Sequence, residues 1–492
     1  MNNTVVIPLL IPLVTAIILI FSNGKRASRW ISGASALLNI AVSAYLVYEV
    51  QQKGIQTLHM GGWAPPYGII FVADMLAALL VLTTAVIGAA CLFYAFRSIG
   101  EEREKHYFYT FVQFLLVGVI GSFLTGDIFN LFVCFEVMLI ASYALITLGG
   151  KKLQLRESLK YILINIVSSI LFVASMAYLY AVVGTLNMAH LSVRVAEAGQ
   201  SGVLDVIAVL FLIVFSLKAG LFLFYWLPGS YLAPPAAILA LFGGLLTKVG
   251  MYAIIRTFTL IFHDTGGIVY TLIGWMAVGT MVLGGIGAVA YRDVNRVLIY
   301  NIVISIGFIS FGLAAANQAA LEGVVFYLVH DMIAKTLLFL LGGALIAAAG
   351  TGKLKEMGGY IQRYPALGWM FLVAAMAIVG VPPLSGFIGK LLIVEGGLRS
   401  GHYLMTGIAL LSSLFVLYSM IKLFMGAFWG KPRAALSSAK DARIAGLLTP
   451  AALLLVLVIA IGLGAEWMYG FAARAGEVLL QPQFYVEAVL KG

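Results

Sequence analysis

The stretch FNLFVCFEVMLIASYALI, Phe129 to Ile146, decides how this chain folds, because it sets one carboxylate, Glu136, in the middle of an otherwise apolar helix. The nearest charges along the sequence are Asp127, nine residues earlier, and Lys151, fifteen later. At 1.5 Å per helical residue they lie roughly 13 and 22 Å away. A solitary glutamate at mid-membrane costs about 2.5–3.5 kcal/mol even on the most lenient insertion scale, so compensation must come from elsewhere in the chain. Four lysines buried in the same fashion are the candidates: Lys218, Lys248, Lys335 and Lys390.

The composition around this stretch leaves one class. Of 492 residues, 62% are hydrophobic and 10% charged, and the mean hydropathy is +1.05; soluble globules carry about 25% charged residues. The apolar runs are around 20–30 residues long, the length of spanning helices and far above the roughly 10 of barrel strands. The expected fold is therefore an all-α polytopic membrane protein of about 14 transmembrane helices. The runs are 4–22, 28–48, 70–96, 107–125, 128–149, 159–184, 203–226, 233–260, 267–290, 295–316, 321–349, 365–398, 403–429 and 444–470, numbered here as helices 1 to 14.

The formal net charge of +10 invites a nucleic-acid reading, but the positives sort by side. Alternate loops, starting with the first, hold Lys25, Arg26 and Arg29; Arg97, Arg103 and Lys105; Lys151, Lys152, Arg156 and Lys160; Arg292 and Arg296; Lys353, Lys355 and Arg363; and Lys431, Arg433, Lys440 and Arg443. The opposite loops and the tail hold only Lys53, Arg194, Arg256, Arg399, Arg474 and Lys491. By the positive-inside rule the first set faces the cytoplasm and both termini face outward. Helix 1 is retained as a span, since its positive cluster follows its apolar core instead of preceding it. Cys91 and Cys134 stand in separate helices with no second cysteine or histidine at ligand spacing, which argues against a disulfide or a metal site.

Helices 1 to 3 carry little chemistry: Asp74 reads as an interfacial cap, and Trp63, Pro65, Pro66 and Tyr67 as an anchor at the outer boundary. The segment Leu186 to Gly202 mixes apolar and polar residues too freely to span and is expected at the outer surface. Lys218 follows Asp205 by thirteen residues, roughly 20 Å deep. Behind it Gly220, Pro228, Pro234 and Pro235 break the helix, which a membrane tolerates only where protein or water satisfies the freed backbone. Lys248, next to Thr247, lies in the interior of helix 8. Helix 11 reads FYLVHDMIAKTLLFLLGG, so Asp331 and Lys335 share a face and His330 is adjacent. In helix 12, Pro382, Pro383 and Gly386 break the helix just before Lys390.

A broken helix with a lysine is followed by another lysine 30 residues on (Lys218, Lys248) and again 32 residues on (Lys390, Lys422). Two such halves of five helices point to inverted repeats with the site at their interface. The expected domains are 1–106 for helices 1 to 3, 107–262 and 263–430 for the two repeats, and 431–492 for helix 14 and a short tail.

Each charge also has a plainer explanation. Lys422 lies nine residues from Lys431, some 13 Å, where a snorkelling or packing lysine needs no function. His330 and Asp331 read equally as neutralising partners of Lys335, and Glu395 with Arg399 as a helix-surface pair. Glu136, Lys218 and Lys390 have no partner of opposite sign one turn away. Burial and mutual approach push the proton affinities of such groups in opposite senses. A row of them can therefore hold or release a proton according to its neighbours' charge, as a proton relay requires.

The order of Glu136 in helix 5, Lys218 in a broken helix 7, Lys248 in helix 8, a charged helix 11 and Lys390 after the break in helix 12 resembles the antiporter-like subunits shared by respiratory complex I and Mrp-type Na+/H+ antiporters. TGDIFNLFVCFEVMLIASYALI, HDMIAKTLLFLLGG and PPLSGFIGKLLIVEGG are similar to the D-type Mrp subunits, as is lysine at 390. The resemblance implies that Glu136 pairs with and tunes Lys218, that Lys218, Lys248 and Lys335 pass protons along the mid-membrane axis, and that Lys390 is the terminal switch. His330, Asp331, Lys422, Asp127 and Thr247 are the accessory candidates. It also implies assembly with the other Mrp subunits in a bacterial cell membrane; the sequence itself carries no cofactor motif, and no cofactor is expected. A carboxylate-rich, hard-oxygen cage for Na+ is not visible in the sequence, so sodium is not assigned to these residues. The rival readings are a membrane subunit of complex I or of a membrane-bound hydrogenase, and a stand-alone secondary transporter.

Overall fold

The computed structural model describes residues 2–24, 27–199, 202–263, 267–430 and 441–491. Lys25, Arg26, Lys431, Arg433 and Lys440 of the positive loops lie outside the described residues. The long helices follow the hydropathy pattern: α1 Ile7–Ser22, α2 Ala27–Lys53, α3 Met75–Ser98, α4 Phe108–Leu124, α5 Ile128–Thr147, α6 Lys152–Val183, α7 Gly202–Ala219, α8 Ala236–Arg256, α9 Ile268–Ala290, α10 Val294–Ala315 and α11 Gln318–Ala349. There follow α12 in two pieces, Pro365–Val379 and Ser385–Arg399, then α13 Tyr403–Phe428 and α14 Asp441–Leu463. Among the described residues 11 helices are long and apolar enough to cross a membrane, and Ile7–Ser22, Phe108–Leu124 and Pro365–Val379 are shorter apolar helices.

Polar residues set the helix starts. Asp74, Asp127, Asp293 and Asn317 are N-caps of α3, α5, α10 and α11, each side chain accepting from a backbone N–H three residues on. Helix 3 begins at Met75 instead of residue 70 because Ile70–Ala73 is a strand, β2, paired antiparallel with β1, Gln56–His59. This hairpin is an element that periodicity did not reveal. Trp63 and Tyr67, between its strands, are exposed. Helix 7 stops at Ala219, short of the expected residue 226, where Gly220 takes φ 79°. The span expected to run to residue 470 ends at Leu463, and the tail forms two short helices, Ala465–Leu480 and Gln483–Leu490. The segment expected at the surface forms the amphipathic helix Met188–Ala198.

The helices sort by how much protein surrounds them. Every residue in the apolar window of α8 is buried, against 33% for α6. Helices α8, α10 and α11 make the centre, so the charges of α8 and α11 face protein. Those of α5 and α6 stand nearer the periphery. Cys91 and Cys134 are buried and unpaired.

Arg256 departs from the loop location expected of it. It is the last residue of α8 and is buried, pairing with Asp74 Oδ2 at 2.6 Å. Its guanidinium lies 5.3 Å from the ring centre of Tyr252 and 4.9 Å from that of Tyr485 in the tail. Asp74 is thus both the cap of α3 and the counter-ion of α8.

Candidate functional site

Three clusters gather most of the charges singled out in the sequence. The first joins α5, α6 and α7. Ser169 donates to Glu136 Oε1, and Lys218 Nζ donates to Ser169 Oγ at 3.4 Å. One hydroxyl therefore stands between the amine and the carboxylate. Lys218 is buried, with its amine 5.0 Å from the ring centre of Phe135, whereas Glu136 is half-buried. The break behind Lys218 is satisfied by protein, as hydrocarbon demands: Thr280 Oγ1 of α9 accepts from Phe222 N at 2.7 Å, and Trp226 Nε1 donates to Leu217 O at 3.0 Å.

The second cluster lies between α8, α10 and α11. Lys248 Nζ is 2.9 Å from Asp331 Oδ2, and Lys335 Nζ is 3.8 Å from Asp331 Oδ1. All three side chains are buried. The sequence suggested Asp331 as the partner of Lys335 one turn away, yet its closer partner comes from the facing helix. Lys335 is drawn instead to the Asn301 carbonyl, 2.8 Å away, and Lys248 donates also to Gly243 O at 3.2 Å. One carboxylate thus serves two amines, and protonating one amine alters the cost of protonating the other. Gly250, two residues past Lys248, brings α8 onto the end of α7: a Cβ there would stand 2.5 Å from Ala219 N. The helices that carry Lys218 and Lys248 therefore pack at backbone contact.

The third cluster surrounds the break of α12. Lys390 Nζ donates to Val379 O at 2.9 Å and to Ser413 Oγ at 3.2 Å. His330 Nδ1 is 2.7 Å from Ser385 Oγ. Among the described residues its Nε2 has no hydrogen-bond partner, and it points at the break, 2.8 Å from where a Cβ on Gly386 would stand. The Tyr327 ring lies between the two groups, 5.7 Å from the His330 ring and 5.9 Å from Lys390 Nζ. Because His330 and Asp331 are consecutive on α11, the second and third clusters share a helix.

Of the remaining accessory candidates, Lys422 and Asp127 fall elsewhere. Lys422 binds three carbonyl oxygens at the end of α9, those of Ala288, Val289 and Tyr291, at 3.0, 2.7 and 2.8 Å. It caps the C-terminal end of α9 from a neighbouring helix. Asp127 caps α5, accepting from Asn130 N at 2.8 Å. Thr247 is buried beside Lys248, and its hydroxyl has no hydrogen-bond partner among the described residues. Sequence reasoning missed Ser169, Ser385, Ser413 and the Asn301 carbonyl; serines inside apolar helices carry no periodic signal that would single them out.

Comparison with known proteins follows the same lines. Residues 125–460 match the family described as NADH:quinone oxidoreductase/Mrp antiporter, TM. The chain belongs to that family. It is 54% identical to the D subunit of the Na(+)/H(+) antiporter of Bacillus subtilis (strain 168) and 48% identical to that of Alkalihalophilus pseudofirmus, with 100% of each chain covered in both cases. Among solved structures it resembles a chain of the Mrp complex from Dietzia sp. DQ12-45-1b, with TM-score 0.92 and 28% identity over 100% of both chains. A chain of respiratory complex I from Thermus thermophilus shares the fold at TM-score 0.80 and 22% identity, covering 96% of this chain and 99% of that one. These likenesses agree with the D-type character of the motifs around Glu136, Asp331 and Lys390.

Proposed function

We propose that this chain is the proton-translocating subunit of a multisubunit Na+(cation)/H+ antiporter complex in the bacterial cell membrane, assembled with the other Mrp subunits. The observation that carries the reading is the buried Lys248–Asp331–Lys335 group, flanked by an amine at each of two helix breaks. Intramembrane ionisable groups that share counter-charges are the usual mark of a proton pathway.

In this reading Glu136 tunes Lys218 through Ser169. Charge on Lys218 is felt at Lys248 across the contact of α7 with α8, and Asp331 couples Lys248 to Lys335. Lys390, at the second break, is the switch toward one side, with His330 as its neighbour on α11. The two breaks support inverted repeats over 107–262 and 263–430, and the distribution of lysine and arginine supports both termini outside. The chain is then a transporter subunit and not an enzyme, and the chemistry needs no cofactor.

The test is Na+/H+ exchange in everted vesicles carrying the assembled complex. Glu136→Ala and Lys218→Ala are expected to abolish exchange with assembly intact; unchanged exchange in either overturns the relay. A second reading, a redox-driven respiratory complex, draws on the likeness to a chain of an archaeal membrane-bound sulfane sulfur reductase, at TM-score 0.91 and 26% identity. Co-purification with a flavin or iron–sulfur subunit would favour it; Mrp subunits would favour the first.

A further inference from the structure

Outside the three clusters, a trough of about 580 Å³ runs between α2 and α3. At one end stand Arg29, in the first turn of α2, and Arg97, in the last turn of α3. Arg29 binds Glu104 through Nε at 3.0 Å and Nη2 at 2.9 Å. A guanidinium has five N–H donors, more than Glu104 takes up, so Arg29 can serve a further acceptor. Arg97 is exposed and makes no hydrogen bond or ion pair with a described residue. Its guanidinium lies against Gly446 of α14, where a Cβ would stand 1.7 Å from Nη1.

Beyond the arginines the trough is apolar. Gly33 forms its floor, and the atoms nearest to a Cβ added there would be those of the Phe93 and Phe96 rings, at 3.5 and 3.6 Å. The absence of a side chain at residue 33 leaves those rings facing the trough. Leu37, half exposed, lies along the same wall eight residues after Arg29, about 12 Å on. Trp30 stands at the rim, 80% exposed, in the manner of side chains at the membrane–water boundary.

We infer that this trough binds one acidic diacyl phospholipid, its phosphodiester held by Arg97 and the remaining donors of Arg29 and an acyl chain laid over Gly33. Charge complementarity and shape both select this occupant. Guanidinium pairs suit phosphate oxygens, and basic pockets between helix ends are where acidic headgroups dock. A free anion would leave the apolar length unfilled, and an uncharged lipid would leave Arg97 without an acceptor.

The experiment uses the assembled complex in nanodiscs of phosphatidylglycerol and phosphatidylcholine, extracted in mild detergent and weighed by native mass spectrometry. The unaltered protein is expected to retain one phosphatidylglycerol per copy that Arg97→Gln loses, and that Gly33→Leu also loses by filling the trough from below. Arg97→Lys, which keeps the charge, is expected to retain it in part. Equal phosphatidylglycerol in all forms, or equal retention of phosphatidylcholine, overturns the inference. So does a photo-crosslinker in place of Trp30 that captures a partner subunit instead of lipid.

Discussion

The two broken helices each carry a buried lysine, and they treat it differently. At the first break the lysine precedes the interruption, and the backbone freed near it is taken by others: Trp226 holds the Leu217 carbonyl and Thr280 holds the Phe222 amide. Lys218 is therefore left to face Ser169 and, through it, a carboxylate. At the second break the lysine follows the interruption and itself holds the freed carbonyl of Val379. Among the described residues no acid is bonded to Lys390; a helix C-terminus and Ser413 take that place. The same device, a lysine beside a broken helix, thus faces a carboxylate through a serine at one end and a helix dipole at the other.

The largest test of that contrast is at residue 390. Lys390→Glu would set a carboxylate against the Val379 carbonyl with no cation bonded to it, a penalty of about 3–5 kcal/mol for an uncompensated buried charge. It is expected to lower exchange in everted vesicles more than Lys390→Gln does. Equal losses would mean that the carbonyl is not what sets Lys390. A smaller effect is expected at the serines. Ser169→Ala removes a hydrogen bond to a charged group, about 1.5–3 kcal/mol, and is expected to slow exchange roughly tenfold or more. Ser413→Ala leaves the Val379 carbonyl in place and is expected to slow it by less than that. A reversed order in the same assay would break the comparison. The smallest effect belongs to Lys422→Met, expected to leave exchange unchanged and to lower thermal stability by about 0.3–1 kcal/mol, the usual worth of a cation at a helix C-terminus; a loss of exchange would add Lys422 to the relay.

The charges themselves were legible in the sequence, because an ionisable group in an apolar run has no local reason to be there. So were both breaks, through Gly220 and through Pro382, Pro383 and Gly386. The partners were not. Asp331 sits one turn before Lys335, which suggested a pair within α11, but its closer contact reaches across to Lys248. Spacing along one helix says nothing of what a facing helix offers. Ser169 and Ser413 were invisible for the same reason, and the β1–β2 hairpin was hidden because four apolar residues before α3 read as more of that helix.

The clasp at the end of α8 carries a consequence for biogenesis. Asp74, Arg256 and Tyr485 emerge from the ribosome at three widely separated moments, and the guanidinium gains its second aromatic cover only when the last of them arrives. Co-translational insertion can settle the early helices, but this corner of the protein closes only after translation has passed Tyr485.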